Sequence, residues 1–105
     1  MTNETNIATT IFDQLGGMNR IAMMTGAKNF GYSTTDEGNV KASFSFKGSR
    51  KVNGLEITLT NDTYTVTFSK TTAKTGYNVI ETSENVYGDN LTGMFETRTG
   101  LSLRI

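Results

Sequence analysis

The stretch MMTGAKNFG at residues 23–31 is the first candidate for chemistry, because it sets a glycine and a lysine among small residues. A phosphate-binding loop leads from a strand through Gly-x-x-x-x-Gly-Lys-[Ser/Thr] into a helix whose first amides face the anion. Here Gly26 is followed by Ala27 and Lys28, and the local pattern runs from helix to strand. We therefore predict that Gly26 ends a helix and that this stretch does not bind phosphate.

A basic cluster in KGSRKVNG, residues 47–54, is the second candidate, and it joins two predicted strands. Basic side chains beside an aromatic residue such as Tyr32 could hold a nucleic-acid backbone and stack a base. The alternative is a solvated hairpin loop, which the neutral charge of the whole chain favours. The possible nucleic-acid contacts are Lys41, Lys47, Arg50 and Lys51.

The acidic residues are the third candidate. Asp36 and Glu37 lie in a predicted turn, and Asp89 and Glu96 are seven residues apart in a predicted helix. Neither pair has the spacing of a calcium loop, and carboxylate catalysis would also need a pocket and a shifted pKa. We interpret all four as surface charge.

The composition excludes several mechanisms. The chain of 105 residues has no cysteine and no histidine, so it has neither thiolate nor imidazole chemistry, nor the usual ligands for transition metals. Ten basic and ten acidic residues give a net charge of zero, which does not favour a generally basic nucleic-acid binder. We expect a single domain, 1–105, without enzymatic activity, cofactor or metal.

Helical periodicity occurs at both ends of the chain. Residues 4–15 carry apolar side chains at the spacing of an amphipathic helix, and a shorter helix is predicted at 18–25. A further helix is predicted from Asn85 to a cap at Gly100. Its stripe would contain Tyr87, Leu91, Met94, Phe95 and Arg98.

Between these helices the period changes to two, which is typical of half-buried strands. Strands are predicted at 28–34, 39–47, 55–60, 63–70 and 76–82. If Asn61 and Asp62 form a two-residue turn, all the apolar residues of the hairpin share one face. The apolar pairs would be Leu59/Tyr64, Ile57/Val66 and Leu55/Phe68.

These patterns predict an α+β fold, with an antiparallel sheet of four to five strands and the N- and C-terminal helices packed on one face in two layers. The other face would be rich in hydroxyl groups. It is either ordinary solvent-exposed surface or a contact surface for another protein or a second copy. The residues of this predicted contact surface are Thr58, Thr60, Thr63, Thr65 and Thr67.

Several longer stretches resemble a family of small proteins of tailed phages, prophages and plasmids. They are QLGG at 14–17, MTGAKNF at 24–30, ITLTNDTYTVTF at 57–68 and NVYGDNLTGMFETRTGL at 85–101. The sequence departs from that family at Asn61-Asp62, where a Pro-Ala-Asp-like turn is common, and this shortens the hairpin. The resemblance implies a mobile-element protein made inside a bacterial host, but it assigns no role to any residue.

The N-terminal sequence lacks the basic and apolar regions of a signal peptide, and no apolar run approaches the ~20 residues of a membrane span. We therefore expect a location in the host cytoplasm and no membrane contact. By analogy with small phage proteins, we expect an accessory protein that binds a macromolecule. A protein partner, from the host or a second copy, is favoured over nucleic acid.

Overall fold

A computed structural model describes residues 2–47, 52–60 and 63–101. In these ranges the chain forms two helices, five strands, a 3-10 turn and a last helix. The helices are α1 (Thr2–Gln14), α2 (Met18–Thr25) and α3 (Leu91–Thr99), and the 3-10 turn is Gly88–Asn90. The strands are β1 (Lys28–Thr34), β2 (Val40–Ser45), β3 (Gly54–Thr60), β4 (Thr63–Thr72) and β5 (Gly76–Val86).

The five strands form one antiparallel sheet in which each strand pairs with the next along the chain. Strands β1 and β5 are therefore the two edges. Helices from both ends of the chain contribute to the core on one side of this sheet. The predicted α+β fold is confirmed, with five strands.

The register of the β3–β4 hairpin is confirmed pair by pair. Leu55 lies opposite Phe68, Ile57 opposite Val66 and Leu59 opposite Tyr64. The predicted turn residues between these strands, Asn61 and Asp62, lie outside the described part of the chain. Alternation excludes a slip of one residue, which would turn the apolar side chains to the wrong face, and the two-residue turn length excludes a slip of two.

Aromatic rings connect the helices to the sheet. The ring of Phe44 on β2 lies 6.2 Å from that of Phe12 on α1 and 6.2 Å from that of Phe95 on α3. Phe30 and Phe46 pack against the same ring at 5.3 and 6.0 Å. All four of these ring pairs are tilted rather than stacked face to face.

Gly26 ends α2, as predicted. It has the left-handed conformation, with φ of 68°, and its N–H donates to the carbonyl of Ala22. The next element is a strand that begins at Lys28, so no helix N-terminus follows the glycine. The structure thus places the carboxyl end of a helix where a phosphate loop would need the amino end of one.

The third helix begins later than predicted. β5 continues through Asn85 to Val86, which is buried opposite Tyr64, and α3 starts only at Leu91. Tyr87 is consequently 58% exposed and does not belong to the buried stripe. The prediction of a helix from Asn85 was wrong at its start, because Val86 is buried by pairing with Tyr64 of β4 and not by lying on a helical stripe. The cap at Gly100 is confirmed.

We predict that Phe68→Ala destabilises the fold by about 3–5 kcal/mol, because this side chain is 1% exposed and its loss leaves a cavity. Chemical denaturation of the variant and the wild type measures the difference. Thr65→Ala, on the other face of the same strand, is the matched control and should be close to neutral. A loss below about 1 kcal/mol for Phe68→Ala would contradict the core assignment.

Candidate functional site

The side of the sheet opposite the core carries a row of hydroxyl groups, which we call the threonine face. Thr58 lies directly opposite Thr65, and Thr60 lies opposite Thr63. Each of these side chains is partly exposed. The pleat produces this arrangement, because alternate residues of β3 and β4 point away from the core. The threonine face consists of Thr58, Thr60, Thr63, Thr65 and Thr67.

A single ion pair lies beside the threonine face in the described part of the chain. The Nζ atom of Lys41 on β2 is 3.7 Å from Oε1 of Glu56 on β3. Glu56 is directly opposite Thr67, so the pair borders the threonines. Both side chains are partly exposed, and such surface pairs contribute little to stability. Their opposite charges leave this region without net charge.

Tyr77 lies on the edge strand β5, outside the threonine face. Its hydroxyl group donates to Oε2 of Glu56 over 3.3 Å. Partial burial raises the pKa of the Tyr77 phenol, and the nearby Glu56 carboxylate raises it further by repulsion of the phenolate and by acceptance of the phenol's hydrogen bond. No sequence pattern indicates this contact, because 21 residues separate Tyr77 from Glu56 along the chain.

The predicted basic cluster is only partly described. Lys41 lies within β2 and pairs with Glu56, while Lys47 is exposed just beyond the end of that strand. β2 ends at Ser45, so these two lysines, six residues apart, do not lie on one strand. Arg50 and Lys51 lie outside the described residues. The nucleic-acid interpretation therefore stays a prediction.

The acidic candidates lie apart from one another. Asp36 and Glu37 are exposed in the turn after β1, whereas Asp89 is in the 3-10 turn and Glu96 is on α3. Within the described ranges, no three acidic, histidine or cysteine side chains come together as a metal site. Among those same residues, no helix has the length and apolar character needed to cross a membrane.

An apolar groove of about 430 Å³ lies between the first two helices and β1. Met18 and Tyr32 are 45% and 49% exposed at this groove, and Phe12 and Phe30 belong to its walls. Such walls suit an apolar group rather than a charged one. The sequence did not predict the groove, because it depends on how α1 lies against an edge strand.

The side chain of Asn53 makes two hydrogen bonds to β4 of the kind that a neighbouring strand would make. Its Nδ2 donates to the carbonyl of Thr71 at 2.8 Å, and its Oδ1 accepts from the N–H of the same residue at 2.9 Å. β3 begins one residue later, at Gly54, so the carboxamide continues the pairing of β4 past the end of its neighbour. An amide is suited to this because it carries a donor and an acceptor side by side.

Comparison with known proteins found no protein-family model that matches this sequence, and no significantly similar curated protein or solved structure. The resemblance to the phage and plasmid family therefore stays a prediction from the sequence motifs.

We predict that Glu56→Gln lowers the pKa of Tyr77, because the substitution removes the charge that opposes ionisation of the phenol. The pKa should move towards 10, the ordinary value for tyrosine. A titration of ¹³Cζ-labelled tyrosine followed by NMR measures each phenol separately.

Tyr64 is the internal control for this titration. Burial raises its pKa, a hydrogen bond with Gln14 partly offsets that rise, and Glu56 is not among the causes. Its titration should therefore be the same in both proteins. An unchanged pKa for Tyr77 in the Glu56→Gln protein would show that the contact with Glu56 does not persist in solution.

Proposed function

We propose that this protein is a non-enzymatic accessory protein of a phage or mobile element, and that it acts by binding another protein through the threonine face. The observation that carries the proposal is the row of partly exposed hydroxyl groups on the side of the sheet opposite the core. The partner is a host protein or a second copy of the chain, and the setting is the host cytoplasm.

The chemistry of threonine supports a protein partner. The hydroxyl and methyl groups of threonine are both bonded to Cβ, and such β-branched side chains are stiff, so they have few rotamers to lose on binding. Each hydroxyl can donate and accept a hydrogen bond, while the methyl group contributes apolar area. The cores of protein interfaces are depleted of charge, and the five threonines provide such an uncharged centre.

The position of the charges fits the same proposal. Lys41 and Glu56 lie at the border of the threonine face and neutralise each other across 3.7 Å. Charged groups at the rim of an interface keep contact with water and need not lose their hydration. A partner that covers the threonines would therefore leave this pair partly solvated.

Nucleic-acid binding is the second candidate function, and the exposed Lys47 is the observation that favours it. In this alternative Lys47, Arg50, Lys51 and Lys41 would contact phosphates. The ion pair between Lys41 and Glu56 opposes a contribution from Lys41, because the carboxylate would repel the phosphate. We therefore rank this function below protein binding.

We predict that the double substitution Thr58→Lys with Thr65→Lys abolishes capture of the protein partner. The two positions face each other in the centre of the threonine face, so both charges would be buried in the contact without partners. The measurement is a pull-down from nuclease-treated bacterial lysate with tagged protein, quantified by mass spectrometry. A protein retained by the wild type should be depleted at least ~100-fold, since buried unpaired charges cost several kcal/mol.

Two controls make this experiment specific. Asn19→Lys adds a charge on an exposed position of α2 and should leave capture unchanged. Thr58→Val with Thr65→Val keeps the side-chain shape and removes only the hydroxyl groups, so it should weaken capture less than lysine does. Full capture by the double lysine variant would exclude the threonine face as the binding site.

A separate prediction addresses nucleic acid. If the basic residues contact phosphates, replacement of Lys47, Arg50 and Lys51 by alanine should weaken binding to short DNA or RNA. The slope of log affinity against log salt should then decrease by about 0.9 per lost contact on duplex. We expect no such salt-sensitive binding by the wild type near physiological salt. Its presence, and its loss in the triple variant, would reverse our ranking.

A further inference from the structure

We infer that the outer edge of β5 pairs antiparallel with the same strand of a second copy, around a two-fold axis at Asn78. This surface is the edge of the sheet and differs from the threonine face. The inference therefore does not rest on the proposed function, and either one can fail alone.

Exposed apolar side chains are concentrated on this edge. Of the seven large apolar side chains that are exposed in the described ranges, three fall within four consecutive residues of β5. They are Tyr77, Val79 and Ile80, each between 52% and 54% exposed. Edge strands of soluble monomers usually carry charges or proline at such positions, and the segment 76–80 has neither.

The direction of the backbone groups on β5 follows from Asn53. Its side chain bonds both the N–H and the C=O of Thr71, so both groups point towards β3. Tyr77 is opposite Thr71 on β4. Because the N–H and C=O of Thr71 face β3, Tyr77 and Thr71 form one of the non-hydrogen-bonded pairs of the antiparallel ladder. The N–H and C=O of Tyr77 therefore point away from β4, to the outer side of the strand.

Val79 has the same orientation. The N–H of Asn53 donates to the carbonyl of Ser69, so the polar groups of Ser69 also face β3. Ser69 is opposite Val79. Two alternate residues of β5, Tyr77 and Val79, thus direct donors and acceptors outwards at the spacing that an added strand needs.

One register gives the outward N–H and C=O groups of Tyr77 and Val79 hydrogen-bond partners in both copies. Tyr77 of one copy pairs with Val79 of the other, the reciprocal pair forms by symmetry, and Asn78 faces Asn78 across the axis. Tyr77 and Val79 both point to the side of the threonine face, since they oppose Thr71 and Ser69. The register therefore places an aromatic ring against a β-branched side chain twice, which is a favourable cross-strand pair.

The charges at the two ends of the segment are complementary in this arrangement. Lys74 precedes the uncharged stretch 75–80, and Glu81 and Glu84 follow it. The antiparallel arrangement brings the Lys74 end of each segment towards the end of the other that carries Glu81 and Glu84. Glu81 already bonds Arg98 at 2.8 Å, so Glu84 is the more available partner for Lys74. A parallel arrangement would instead place like charges together.

The extent of the contact is also defined. The pairing of β4 with β5 shifts between Phe68 and Ser69, and Ile80 is the extra residue of this bulge. A bulge interrupts the regular edge, so the pairing with a second copy ends there. The contact is short, and we expect a weak dimer that a covalent trap detects better than a mass measurement alone.

Asn78→Cys provides that trap, because the chain has no other cysteine. Asn78 and its symmetry mate would form a non-hydrogen-bonded pair with Cα atoms about 4.5 Å apart, which is within the range of a disulfide. With oxidised glutathione, the disulfide dimer should form at least ten times faster than in Ser33→Cys, which places an exposed thiol on the other edge strand. Equal rates in the two variants would overturn the inference.

Two further variants test the edge and the register. Val79→Lys in the Asn78→Cys protein should slow disulfide formation to the rate of the Ser33→Cys protein. Ser33→Lys in the Asn78→Cys protein should leave the fast rate unchanged. A mixture of Tyr77→Cys and Val79→Cys proteins should form the mixed disulfide in preference to either homodimer. Preference for the homodimers would overturn the register. Fast disulfide formation in the Asn78→Cys protein that also carries Val79→Lys would overturn the edge contact. Circular dichroism of each variant confirms that the monomer remains folded.

Discussion

The packing of Phe44 is the interaction on which the rest of the structure depends. Its ring contacts Phe12 from the first helix and Phe95 from the last, so one side chain of β2 holds both ends of the chain against the sheet. The chain has no cysteine and therefore no disulfide, and the described residues form no metal-binding group, so burial of such rings is a main source of stability. Aromatic side chains suit this role because each buries a large apolar area and has few rotamers.

The same packing determines which surface faces outwards. Because helices from both ends of the chain contribute to the core on one side, the polar residues of β3 and β4 are left on the other. Threonine suits such positions, because its β-branched side chain favours the strand conformation and its hydroxyl group forms hydrogen bonds with water. Threonine at these positions thus favours the strand conformation and keeps the threonine face itself uncharged.

The parts of the fold that depend on local pattern could be predicted from the sequence. The β3–β4 register and the helix end at Gly26 follow from alternation and from glycine conformation. The start of the last helix could not be predicted, because the strand state of Val86 depends on Tyr64, 22 residues away. The contacts of Tyr77 with Glu56 and of Asn53 with Thr71 also join residues that are far apart in sequence, and no periodicity indicates them.

The Asn53 carboxamide has a consequence for the mechanics of the domain. Beyond the pair of Gly54 with Ser69, the β4–β5 hairpin extends without β3 beside it, as a two-stranded arm. Two-stranded ribbons are marginally stable in water, so the arm relies on side chains for its stiffness. Asn53 fixes its base, and the hydrogen bond from Tyr77 to Glu56 ties it back across the sheet. The arm therefore has two side-chain attachments to the main sheet, and loss of either one leaves the arm held by the other alone.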